Sequence, residues 1–376
     1  MTNQNFFLPK APASAGPERL PALKTTGTAH LFRPLATLLG LSLLAAVLLA
    51  SCERDPVTDD PDGIIGGEGL FVLNEGNFQW GNASLSYFRR SDRQVSHGLF
   101  RNANGEDLGD ILQSMHVHDG LAYLVVNGSG KIEVVDPASW KRHATIDGLT
   151  SPRHFLPVGG QKAYVTDLFS GQIQIIDLET NEASGTIPAD GWTEELGMVS
   201  GTVLVCGVGE GRIYLIDPDT DQLTGSVEAG PNPVGLRTDH QGHAWVLCAG
   251  DWMDGTGAAL LRLDKDTYQV AERHELPVTG ATYSALDISP DGRTLYFLGG
   301  GVHAFPLSEA TPEPVLLVPA GGRFFYGLGA DPSDGKLFVS DAIDFTQKGK
   351  VYVFDPQGQA LYDFDAMNNP RGFYFY

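Results

Sequence analysis

Cysteine is scarce in this chain, three in 376 residues, which excludes a small scaffold stapled by several disulfides. Basic side chains are also few: 25 Lys and Arg stand against 46 Asp and Glu, a formal net charge of −21. A surface this acidic repels phosphate backbones and anionic headgroups, which argues against nucleic acid as a partner and against charge-driven membrane binding. Solubility is the simplest use of the charge. Long apolar runs are missing as well. The longest, residues 35–50, falls short of the roughly 20 residues that a membrane-crossing helix needs. Apolar residues at helical spacing are nearly absent, as are a Gly-x-Ser-x-Gly nucleophile elbow and a phosphate-cradling glycine loop.

The short apolar run follows Arg33 and ends in Leu49-Ala50-Ser51-Cys52. This ending resembles the bacterial lipobox, which implies that residues 1–51 are a lipoprotein signal peptide and that Cys52 carries the lipid anchor. An ordinary secretory signal with a chance cysteine is the alternative. Residues 52–67 are rich in acid and Pro with little to bury, and they read as a flexible tether. It is similar to the acidic segments that follow the lipidated cysteine in surface-exported Bacteroidetes lipoproteins. The resemblance implies an outer-membrane location facing the cell exterior, with the membrane contacted through the lipid anchor only. The folded body is expected over residues 68–376.

That body is a series of repeats. One motif is an alternating strand that runs into a turn: KIEVVDPASW, QIQIIDLETN, RIYLIDPDTD, ALLRLDKDTY and KVYVFDPQGQ align Asp136, Asp177, Asp217, Asp264 and Asp355. Two degenerate copies, around Arg89 and Pro306, complete a set of seven. The units recur roughly every 40 to 50 residues, the period of a four-stranded propeller blade. An apolar strand precedes each one, as in GLFVLNEG, LAYLVVNG and HAWVLCAG, with Gly and Asp-Gly punctuation. A third element precedes that strand in six units but not in the first. Its seventh copy is residues 370–376 at the end of the chain. The expected architecture is therefore all-β, a seven-bladed β-propeller in which the C-terminal strand joins blade one and closes the ring. The repeats resemble the large class of YncE-like bacterial propellers, a resemblance that implies fold and leaves function open. Cys206 and Cys248 fall on strands of neighbouring repeats, either as free buried thiols or as a bonded pair.

In such a ring, the loop between a blade's second and third strands lies on the same face as the loop leading into the next blade. Residues 74–83, 249–258 and 341–350 are longer than a turn requires, and surplus loop length marks function. Phe78, Trp80, Phe169, Trp252, Met253 and Phe345 stand at loop tips, where a solvating loop would carry Gly, Ser and Asp. Trp192, Tyr283, Phe324, Phe325 and Tyr326 lie on the loops leading into blades. Interspersed with Asn77, Gln79, Asn82, Asp251, Asp254 and Arg323, these compose an apolar face with a few polar guides, suited to a large flat or sugar-like ligand. Trp80 and Trp252, on the longest loops, are the first candidates for contact, and part of the set is expected to pack between blades.

Catalytic and metal chemistry find weaker footing. His116 and His118 share one side of a strand but lack an evident third ligand. His240 and His243 flank a turn on the opposite face. Asp217, Asp219 and Asp221 begin like a calcium loop, yet Gln222 stands where the turn needs Gly. Glu194 and Glu195 read as a solvated acidic loop rather than as an acid and base. No catalytic residue, metal or cofactor is assigned.

One stretch is more specific than the generic blade. Leu70-Phe-Val-Leu-Asn-Glu-Gly-Asn-Phe-Gln-Trp-Gly-Asn-Ala-Ser-Leu-Ser-Tyr87 resembles the opening blade of Bacteroidetes surface lipoproteins of the cobalamin-binding BtuG type. The resemblance implies capture of a corrinoid and its delivery to a TonB-dependent outer-membrane transporter. It carries over onto residues 74–78, with Phe78 at the ligand, and onto residues 81–84. A propeller enzyme of lactonase or oxidoreductase type and a surface protein-interaction module are the alternatives.

Overall fold

The computed structural model describes residues 68–251, 253, 256–277, 282–308 and 312–376. Residues 1–67, including Cys52 and the tether, lie outside the described residues, as do Trp252 and Asp254.

Seven four-stranded antiparallel sheets make seven blades. Blade two is typical, running from the axis outward as Leu112–His118, Leu121–Val126, Lys131–Val135 and Arg142–Ile146. The innermost strand of each blade packs against those of both neighbours, so the ring is closed. Closure falls to the C-terminus. Pro370–Phe375 pairs antiparallel with Gly69–Asn74 and becomes the innermost strand of blade one.

The strand pattern follows from what each face meets. Every residue of Gly69–Asn74 is buried, because both faces of a blade pack on a neighbouring blade and neither meets water. Period-two alternation then sorts side chains between two seams. Phe71 and Leu73 join the cluster shared with blade two. Leu70 and Val72 join the one shared with blade seven, alongside Phe338, Val351, Phe373 and Phe375. Seven such clusters fill the seven seams. Cys206 and Cys248 are free thiols buried in the seam between blades four and five.

The repeated aspartates close turns. Asp136 accepts the Ala138 N–H at 2.8 Å, Asp177 those of Glu179 and Thr180, and Asp217 that of Asp219. This is the use to which turns put Asp. Asp221 has another partner, accepting from Lys162 Nζ at 2.6 Å.

One element departs from the sequence reading. The outer strand of blade one is only Val95–Ser96, and a helical turn, Leu99–Asn104, follows it. Leu99 and Phe100 are buried beside Trp140. No side chain caps this turn, which begins after Gly98, so the sequence carries no start signal for it. Packing holds it in place.

Candidate functional site

Each innermost strand starts on the face from which the second-to-third loops emerge, here termed the upper face. Near that start, all seven innermost strands carry a β-bulge at one register position. In blade two, Leu112 pairs with Val126 and Ser114 with Val125, which leaves Gln113 as the extra residue. The corresponding residues are Arg371 in blade one, Arg153 in three, Glu194 in four, Val234 in five, Ala285 in six and Tyr326 in seven. A bulge re-aims a side chain at the rim of a sheet, and all seven line a central cavity of about 430 Å³.

Charge is concentrated there in pairs. Arg153 forks onto Glu194, Nε to Oε2 at 2.8 Å and Nη2 to Oε1 at 2.6 Å, and donates from Nη1 to Gln113 Oε1 at 2.6 Å. Trp192 Nε1 donates to Glu194 at 2.6 Å, and His154 Nε2 lies 3.3 Å from it. Burial opposes the Glu194 anion, but Arg153 and His154 outweigh it and hold the carboxyl well below the usual range. One step deeper, Arg237 bridges Glu195 at 2.5 Å and Asp287 at 3.0 Å. In blade one, Glu75 accepts from the Tyr326 hydroxyl at 2.6 Å and from Arg371 Nη1 at 3.2 Å. Burial, and then the Glu75 charge, push the Tyr326 phenol up.

Glu194 and Glu195 are therefore not a solvated loop. The bulge between Thr193 and Leu196 admits both to the channel side, where each is held by an arginine. His116 is half-buried with its ring centre 6.1 Å from that of Phe155, and burial followed by the His118 charge lowers its pKa. Among the described residues no three His, Cys, Asp or Glu side chains group as metal ligands.

The loop residues divide by environment. Phe78, Trp80, Phe169, Met253 and Phe324 are exposed on the upper face, Trp80 at 76% and Met253 at 91%. Phe345 meets Phe324 and Tyr326 edge-on, with ring centres 4.7 and 5.1 Å apart. Asn77 and Asn82 shape the first loop. Asn77 Nδ2 donates to the Phe345 carbonyl at 2.6 Å, and Asn82 Oδ1 accepts the Asn77 N–H at 2.7 Å. The Gln79 N–H donates to the Asp110 carboxylate at 2.9 Å. Asp251 similarly accepts the Met253 N–H at 2.7 Å.

Three candidates serve the scaffold. Tyr283 is 2% exposed, packs on Phe297 and donates to the Pro277 carbonyl at 2.7 Å, although its edge reaches the cavity wall. Phe325 lies against the seam of blades six and seven, and Arg323 stacks over Phe325 and Tyr352 at 5.2 and 4.7 Å. Trp192 and Tyr326 line the cavity. Sequence reasoning missed Gln113, Arg153, Arg237, Asp287 and Arg371. Aligning the innermost strands one residue past their start would have brought most of them into one column, with Pro152-Arg153 and Pro370-Arg371 as its plainest members.

The family described as "Domain of unknown function (DUF5074)" matches residues 68–376. No curated protein matches the sequence. Among solved structures, the chain is similar to a quinonprotein alcohol dehydrogenase-like protein from Bacteroides thetaiotaomicron, at 15% identity and a TM-score of 0.63 over 82% of this chain and 78% of that one. It is similar to a periplasmic gluconolactonase from Pseudomonas aeruginosa, at 15% identity and a TM-score of 0.63 over 81% and 99%. A protein from Lactobacillus plantarum gives 14% identity and 0.64 over 82% and 99%. At these identities the likeness is one of fold.

Proposed function

This chain belongs to the DUF5074 family, and we propose that it is a capture protein, binding a large ligand on the upper face over the channel mouth. The observation that carries this reading is the exposure of Phe78, Trp80, Phe169, Met253 and Phe324 on the face that also opens onto the polar cavity. Exposed apolar side chains gathered around a concave site mark a binding surface. Proton transfer is less well served. The carboxylates of the mouth already accept from arginines, from Trp192 or from backbone N–H groups, which occupies the oxygens that a proton transfer would use.

The ligand class is a corrinoid, supported by the resemblance of the first blade and by a face that offers aromatic planes around polar groups. The lipobox-like Leu49-Ala50-Ser51-Cys52 supports lipidation at Cys52, the acidic segment after it supports display on the outer membrane, and the first-blade resemblance supports delivery to a TonB-dependent transporter. Calorimetry with cyanocobalamin and cobinamide tests the class. Saturable heat is expected, and Trp80→Ala should weaken binding by about 1–3 kcal/mol. Stability in that variant should stay within about 0.5 kcal/mol of wild type. Neither heat nor a thermal shift with either corrinoid would overturn the assignment.

A further inference from the structure

At the channel mouth every carboxylate oxygen of Glu75, Glu194, Glu195 and Asp287 has a donor, but not every donor has an acceptor among the described residues. The acceptors are engaged. Glu194 takes both arms of Arg153 and the Trp192 N–H, Glu195 takes the Leu236 N–H and Arg237, and Asp287 takes Arg237 and the Ala330 N–H. The donors are not all engaged. Arg371 uses only Nη1, toward Glu75 and the Tyr326 hydroxyl, and its Nε and Nη2 meet no acceptor among the described residues. Gln113 is 5% exposed and gives Oε1 to Arg153. A guanidinium can only donate, which fixes the oxygen on that side and turns Nε2 away. That Nε2 also meets no acceptor among the described residues.

Arg371 and Gln113 are neighbours at the mouth. They occupy the bulges of blades one and two, next to the fully engaged Arg153 of blade three, while Arg237, which donates from Nε and Nη1 only, sits deeper on blade five. Across the mouth the same position carries Val234 and Ala285, in blades five and six. We propose that the arc formed by Arg371 and Gln113 is a subsite for an oxygen acceptor of the ligand, an amide carbonyl or a carboxylate, with the ligand's apolar flank turned to Val234 and Ala285. The inference rests on the reading of this face as a capture surface. These donors face the cavity rather than being sealed in the protein, the Arg371 side chain being 37% exposed, so an oxygen placed here replaces water on donors that the fold already holds in position.

Acetate and acetamide have one shape and differ in charge, so they separate the two acceptor sources. Full-length protein labelled with 15N in glutamine and arginine is titrated with each while the side-chain N–H resonances are followed. The Gln113 Nε2 and Arg371 Nε signals, assigned by their loss in Gln113→Met and Arg371→Lys, should shift saturably with at least one probe. Arg371→Gln, which keeps amide donors, should retain the response of Gln113. Arg371→Met should weaken it roughly tenfold, and if that variant does not fold, the Arg371 signal in Gln113→Met serves the same comparison. Absence of saturable shifts with both probes overturns the subsite, even in protein that binds cyanocobalamin. Saturable shifts in protein that gives no heat with cyanocobalamin keep the subsite and remove the corrinoid.

Discussion

Burial alone would drive the Glu194 carboxyl toward its neutral form, yet Arg153 and His154 hold it well below the ordinary carboxylate range. Its folded-state pKa is lowered relative to the unfolded chain, so the unfolded state binds the proton more readily. The stabilisation is therefore fully present above the unfolded carboxylate pKa of about 4.3 and is lost as pH falls through the folded value. Glu194→Gln leaves Arg153 buried without its counter-ion and should cost about 3 kcal/mol at neutral pH. The loss of stability on acidification should also be shallower in the variant, as measured by urea unfolding at a series of pH values. Little of this was legible in the sequence. Adjacent glutamates on a regular strand point to opposite faces, and nothing in Thr193-Glu194-Glu195-Leu196 announces the bulge that admits both to the channel.

Strands were far more legible than side-chain roles. An apolar run such as Leu70-Phe71-Val72-Leu73 can be buried on both faces only between two packed layers, and the repeat spacing supplies those layers. The copy of the innermost strand missing from the first unit located the closing strand at residues 370–376, where Pro370–Phe375 now pairs with Gly69–Asn74. The short helix Leu99–Asn104 was not legible, because packing rather than capping holds it. Closure demands close approach. A Cβ at Gly327 in blade seven would stand 1.9 Å from the Arg371 carbonyl oxygen, so only glycine lets the last strand lie against its neighbour. Gly327→Ala should destabilise the protein by about 2 kcal/mol or more. Truncation after Asn369 should be worse, opening the seam lined by Phe338, Phe373 and Phe375. Melting temperatures of both variants close to that of the full chain would contradict closure by this strand.

A closed ring offers two faces built from different parts. The lower face carries short turns between first and second strands and between third and fourth, the latter closed by the repeated aspartates. On the upper face are the long loops, the exposed aromatics and the mouth with its seven bulges. The loops could be picked out in the sequence because they exceed what a turn needs. Arg153 and Arg371 stand out only once the innermost strands are aligned on their starts, and Arg237, deeper on its strand, looks like any other position until the ring brings it to the mouth. Capture on the upper face is the central claim, and hydrogen exchange with and without saturating cyanocobalamin tests it most directly. Slowed exchange is predicted in residues 74–83, in the loops around Phe169 and Phe345, and at the bulges around Gln113 and Arg371, with the lower-face turns around Asp136, Asp177 and Asp217 unchanged. Protection confined to those turns, or absent from both faces, would contradict the account.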